Sequence, residues 1–207
     1  MPGAVPPMVD LRDLDHADHS TAVGVLARGM RDNPLHLAAF GDDSERRRRS
    51  LEQMFTTYFR VSSAQTPIGA FDGDVLVGLT GIAPAGTCQP TASQRLRFIP
   101  GMVALGPRAA ARLASWLKTW ATHDPDEAHS HLGPLAVDAH LQGKGIGTRI
   151  LGEYCRRLDA DHEVGYLETD KPENVRLYER HGFVVIGEAP VIGVTNWFMR
   201  RGHAGAA

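Results

Sequence analysis

The sequence predicts an α/β fold around a mixed β-sheet, and three observations carry that prediction. Residues 68–82 have the pattern of a β-hairpin, and from residue 131 onward strand-like and helix-like runs alternate. The composition completes the case: 207 residues with 43% hydrophobic and 22% charged positions suit one folded domain with its own core. Those values exclude collagen, a coiled coil and wholesale disorder.

In chain order, three prolines and a glycine make residues 1–7 a loose lead-in. Residues 9–14 alternate apolar and polar as a half-buried strand does. A helix is expected over 16–30, with Asn33-Pro34 as its stop. Asp42-Asp43-Ser44 caps a second helix that carries Leu51, Met54, Phe55 and Phe59 on one face. The arginine run 46–49 reads as that helix's solvated side. Apolar runs 68–71 and 75–82 flank Asp72-Gly73-Asp74 and form the hairpin. A loop is expected over 83–97, followed by a helix over 109–121 with Leu113, Trp116, Leu117 and Trp120 at helical spacing. The stretch up to His129 reads as an insertion before the next strand. A strand through Leu135, Ala136 and Val137, a helix over 146–158, a strand over 164–169, a helix over 172–181 and strands near 183–186 and 194–199 complete the chain. Such an order requires a parallel pair.

Charge excludes some partners. Twenty-two Lys and Arg against 24 Asp and Glu leave a formal net charge of −2, so no global field draws nucleic acid or acidic lipid. Residues 75–94 carry no charged residue yet contain Pro84, Pro90 and several polar positions, a poor membrane span. No secretory signal pattern opens the chain, and Cys88 and Cys155 form no C-x-x-C pair, so a cytoplasmic protein with free thiols is expected.

The most informative segment runs from the strand ending at Val137 into Gln142-Gly143-Lys144-Gly145-Ile146-Gly147-Thr148. Alternating glycines let an anion approach backbone N–H groups, and the helix that begins there adds partial positive charge, so a pyrophosphate fits. A Walker loop is absent, and the glycine spacing departs from the dinucleotide fingerprint G-x-G-x-x-G because Thr148 stands where the third glycine should.

Q-G-K-G-I-G at 142–147 resembles the Q/R-x-x-G-x-G/A signature of the GNAT superfamily of N-acetyltransferases. L-E-T-D-K-P-E-N-V-R-L-Y-E-R-H-G-F at 167–183 is similar to that superfamily's later strand, helix and Gly-Phe turn, in a form close to the branch containing puromycin N-acetyltransferase. The resemblance implies a single domain over 1–207, with a mixed central sheet, helices on both faces, a helical insertion before the fourth strand and flexible ends at 1–7 and 202–207. It implies acetyl-CoA, bound where the parallel strands part. The backbone of Leu135, Ala136 and Val137 would hold pantetheine and the thioester carbonyl. Gln142, Gly143, Lys144, Gly145, Ile146, Gly147 and Thr148 would hold the pyrophosphate. By the same resemblance Asn174 contacts coenzyme A and Tyr178 protonates the departing thiolate, a task that suits a phenol. The two stand four apart on one helix face.

Attack by an amine also needs a base. Glu168 is the first candidate, pointing with Tyr166 and Asp170 at a strand end, although it equally suits a loop-holding role at 169–172. His129 and His131 are alternatives. Together with His123, Asp124, Asp126 and Glu127 they invite a metal reading, but spacing supplies no third ligand, so no metal is expected. The expected reaction is acetyl transfer to a primary amine of a small molecule in a ternary complex. Protein N-terminal or lysine acetylation, and a non-catalytic acyl-CoA sensor, are the alternatives.

Overall fold

A computed structural model describes residues 9–62 and 66–202; the ends expected to be loose lie outside these residues, apart from Gly202. Among the described residues, seven strands form one sheet in the order β1-β2-β3-β4-β5-β7-β6. β1 (Asp10–Asp13), β2 (Ile68–Asp72), β3 (Val75–Ala83) and β4 (Ser130–Val137) pair antiparallel in succession. β4 then pairs parallel with β5 (Gly165–Thr169), and β7 (Val194–Arg201) lies antiparallel between β5 and β6 (Val184–Val191). Joining β4 to β5 requires a crossover, which α6 (Ile146–Asp161) provides.

Helices cover both faces, as expected. α1 (His19–Gly29), α2 (Pro34–Phe40), α3 (Ser44–Val61), α4 (Ala92–Leu105) and α5 (Pro107–Ala121) pack on one face, where Leu26, Leu35, Leu51, Phe55 and Trp116 meet Leu79, Ala136, Tyr166 and Phe198. α6 and α7 (Pro172–Glu179) pack on the other, where Leu151, Tyr154 and Tyr178 meet Ile68, Leu132, Leu167 and Met199. Adjacent residues such as Tyr166 and Leu167 thus enter opposite cores, because strand side chains alternate. Each fully buried leucine contributes about 1.5–3 kcal/mol relative to exposure.

Three details differ from the sequence expectation. Asn33-Pro34 starts α2 as well as ending the helix before it: Pro34 lies at the first helical position, where its missing N–H costs nothing. Residues 92–97 are helical because Thr91 and Gln94 form a reciprocal cap that opens α4. Arg47 turns away from the solvated side of α3 and is 3% exposed, bonded to Asp32 and to the carbonyls of Arg31 and Gly41.

What positions a site is the parting of β4 and β5. They pair only at Ser130 with Gly165 and His131 with Tyr166; beyond these, both strands continue without pairing to each other.

Candidate active site

The turn after β4 is built by backbone conformation. Gly143 and Gly145 have φ of +77° and +83°, and a Cβ at either would face open space. Gly145 precedes α6, whose first turn has no side-chain cap, so its N–H groups stay available to an anion. Ile146 anchors the helix in the core, while Lys144 and Thr148 are exposed. Gln142 behaves differently: its side-chain amide donates to Gly29 O at 2.8 Å and Val137 O at 3.0 Å, so it clamps the turn. Gly147 packs near Val137.

On the opened side of β4, Leu135, Ala136 and Val137 pair with Thr80, Leu79 and Gly78 of β3 but with nothing on β5. Pro134 has no N–H, so the donors of this stretch begin at Leu135. These open donors, the glycine turn and the uncapped helix end together fit a long phosphorylated thioester such as acetyl-CoA.

The parting leads into a cavity of about 850 Å³. Its walls come from α3, α4, α5, β4, β5 and α7, with Met54, Tyr58, Met102, Leu113, Trp116 and Trp120 among the apolar lining. Leu135, Glu168, Asn174 and Tyr178 all border this one space, although the sequence separates them. Tyr178 is 5% exposed, burial raises its pKa, and among the described residues its hydroxyl has no hydrogen-bond partner. The Glu168 side chain is 3% exposed and accepts a bond from His131 Nε2 at 2.7 Å. Asp170 caps α2 by accepting from the Leu35 N–H at 2.8 Å.

Sequence reasoning missed His36 and Tyr58 among the lining groups. His36 is buried, donates from Nδ1 to Met30 O at 2.7 Å, and is held below the usual imidazole range by burial. Tyr58 donates to Gly133 O at 2.9 Å and so braces β4. The buried Trp116 indole N–H has no partner among the described residues. Cys88 reaches His129 Nε2 at 3.5 Å and Asp124 Oδ2 at 3.3 Å. Hydrogen bonds to His129 and His131 hold its thiol below the usual range. Burial opposes charge on His131, but Glu168 and the Cys88 contact outweigh it and push the imidazole up to about 10. No spacing rule links position 88 to position 131, so no sequence signal could have paired them.

The acetyltransferase (GNAT) family matches residues 33–183, and the chain belongs to it. It is an acetyl-CoA-dependent acetyltransferase. A Corynebacterium glutamicum structure described as histone acetyltransferase HPA2 and related acetyltransferase is similar at 21% identity and TM-score 0.73, covering 95% of this chain and 97% of that one. Arylalkylamine N-acetyltransferase 2 from Aedes aegypti is similar at 13% identity and TM-score 0.64, over 95% and 99% of the two chains. Drosophila melanogaster polyamine N-acetyltransferase, described as forming N-acetylagmatine, is similar at 14% identity and TM-score 0.62, over 94% and 100%. No helix among the described residues is long and apolar enough to cross a membrane.

Proposed function

We propose that this protein acetylates the primary amine of a small, largely apolar molecule, by direct attack on acetyl-CoA in a ternary complex. The observation that carries this reading is the walled cavity of about 850 Å³ ending at Glu168 and Tyr178. Its size matches small-molecule pockets, about 300–1,000 Å³, whereas a protein acceptor calls for an open groove. Apolar walls suit the body of the acceptor, and the carboxylates of Glu168 and Asp170 suit its ammonium. The similarity of 167–183 to the branch containing puromycin N-acetyltransferase, and the arylalkylamine and polyamine substrates of two similar structures, support a small amine. A cytoplasmic setting goes with free Cys88 and Cys155.

When bound, acetyl-CoA supplies a thioester carbonyl open to a neutral amine. Residues 142–148 hold the pyrophosphate through backbone N–H groups, with Lys144 adding charge nearby. The backbone of Leu135, Ala136 and Val137 aligns pantetheine and offers N–H donors where negative charge develops on oxygen. Glu168 takes a proton from the acceptor ammonium, directly or through water, and freed of that proton the nitrogen has its lone pair. Burial keeps the Tyr178 proton on Oη at neutral pH, to be given up as charge grows beside it. Asn174, one helical turn away, orients the same region.

The test is thiol release with a panel of small amines and peptides. Tyr178→Phe and Glu168→Gln should each lower kcat by about 10²–10⁴-fold while acetyl-CoA affinity holds. Turnover of peptides alone would replace the acceptor class. Equal turnover in wild type and both variants would remove the two residues from catalysis, and acetyl-CoA binding without any turnover would make the protein a sensor.

A further inference from the structure

Apart from the hydrogen bond from His131 to Glu168, the polar cluster at the edge of the cavity has no part in the transfer chemistry derived above. It joins Cys88 from the loop after β3, Asp124 and His129 from the loop after α5, and His131 from β4. One sulfur, oxygen or nitrogen of each lies within 4.8 Å of the other three.

We propose that Cys88, Asp124, His129 and His131 bind a zinc ion that pins the helical insertion to the sheet. Bond lengths of about 2.3 Å to sulfur and about 2.0–2.2 Å to nitrogen and oxygen give a tetrahedron with edges of about 3.3–3.6 Å. Three edges are already close to this with Oδ1 as the Asp124 ligand atom: Cys88 Sγ to His129 Nε2 at 3.5 Å, Cys88 Sγ to Asp124 Oδ1 at 3.6 Å, and Asp124 Oδ1 to His129 Nε2 at 3.2 Å. His131, whose ligand atom lies within 4.8 Å of the other three, closes the figure by moving inward.

The surroundings are those of a metal site. His129 donates from Nδ1 to Glu127 O at 2.8 Å, leaving the Nε2 lone pair directed at the cluster. His131 gives Nε2–H to Glu168, leaving Nδ1 as its ligand atom. Gln89 Nε2 holds Asp124 Oδ2 at 2.7 Å. Both imidazoles therefore have the outer partners that fix ring orientation and tautomer around zinc, and the carboxylate is held as well. A thiolate and a carboxylate cancel the double positive charge, so the filled cluster is neutral and suits its partly buried position. Binding releases the Cys88 thiol proton, and any proton on His131 Nδ1, to solvent. With four protein ligands no open position remains, which makes the site structural. It ties together segments that wall the acceptor cavity.

The experiment titrates dialysed, reduced full-length protein with zinc chloride by calorimetry, and with cobalt chloride by absorption. One equivalent should bind, the cobalt form should show the intense visible bands of tetrahedral geometry and a thiolate charge-transfer band, and zinc should raise the melting temperature. Cys88→Ser and His129→Gln should each cost more than the roughly 10–100-fold typical of losing an outer partner, and Cys155→Ser should cost nothing. If Cys88→Ser does not fold, His129→Gln and Asp124→Asn must lose the metal while still binding acetyl-CoA. Absence of binding, an octahedral cobalt spectrum without the thiolate band, or binding that survives Cys88→Ser would overturn the site without touching the transferase reading.

Discussion

Glu168 combines a side chain almost sealed from solvent with a residue that is only half-buried, so its exposure lies in the backbone where β4 and β5 part. Its chemistry faces the cavity, and its backbone borders the gap. Period-two alternation was enough to set it on the face of Tyr166, and His131 meets both residues there. What alternation could not supply was His131 as the partner, because that contact spans two strands. Trp116 gives a prediction at this scale. Its buried indole N–H is unpartnered among the described residues, and the residue lines the cavity, so a bound acceptor whose oxygen reaches that N–H would satisfy it. Trp116→Phe should leave the melting temperature unchanged or slightly raised, yet lower kcat/KM for such an acceptor by about 2–10-fold. Equal losses for acceptors with and without the oxygen would assign the effect to shape alone.

Among the elements, the turn into α6 was legible because its requirements are local: two glycines at positive φ and a helix end without a cap. Gly145→Asp places a carboxylate and a strained backbone at that end. Calorimetry should show acetyl-CoA affinity falling more than about tenfold, with about 1–2 kcal/mol lost in stability. α2 and α4 were missed although Pro34 and the Thr91–Gln94 cap are local signals, since a proline and loop-like composition read more readily as stops. Arg47 was misplaced for another reason: in a run of four arginines only the tertiary contacts choose which one turns inward. Its partner Asp32 is held at about 2, by hydrogen bonds from Arg31 and then Arg47. A carboxyl depressed below its unfolded value stabilises the fold above that value and loses the contribution as pH falls from about 4 toward 2. Acid unfolding of Asp32→Asn, followed by circular dichroism, should show a flatter pH dependence across that window. Its neutral-pH stability should be lower, because Arg47 loses its counter-charge.

The whole molecule turns on where two sheet halves separate. Gly29 at the end of α1 packs so closely on β4 that an added Cβ would lie 2.4 Å from Val137 O. Gln142 ties the carbonyls of Gly29 and Val137 to the glycine turn. Gly29→Ala should therefore cost about 1–3 kcal/mol and lower the melting temperature by about 2–4 °C per kcal/mol. It should weaken acetyl-CoA binding as well, since the end of β4 and the turn shift together. A stability loss with unchanged affinity would separate the helix contact from the cofactor cradle. By itself the sequence determined the order of the strands and of the helices other than α2 and α4, the glycine turn before α6 and the candidate pair Glu168 and Tyr178, because periodicity, glycine spacing and i, i+4 geometry act between near neighbours in the chain. Only the tertiary structure decided the walled cavity, the inward turn of Arg47 and the meeting of Cys88, Asp124, His129 and His131. Those depend on which strands pair, where they part and how an insertion folds back, and such contacts between distant segments leave no periodic trace in the chain.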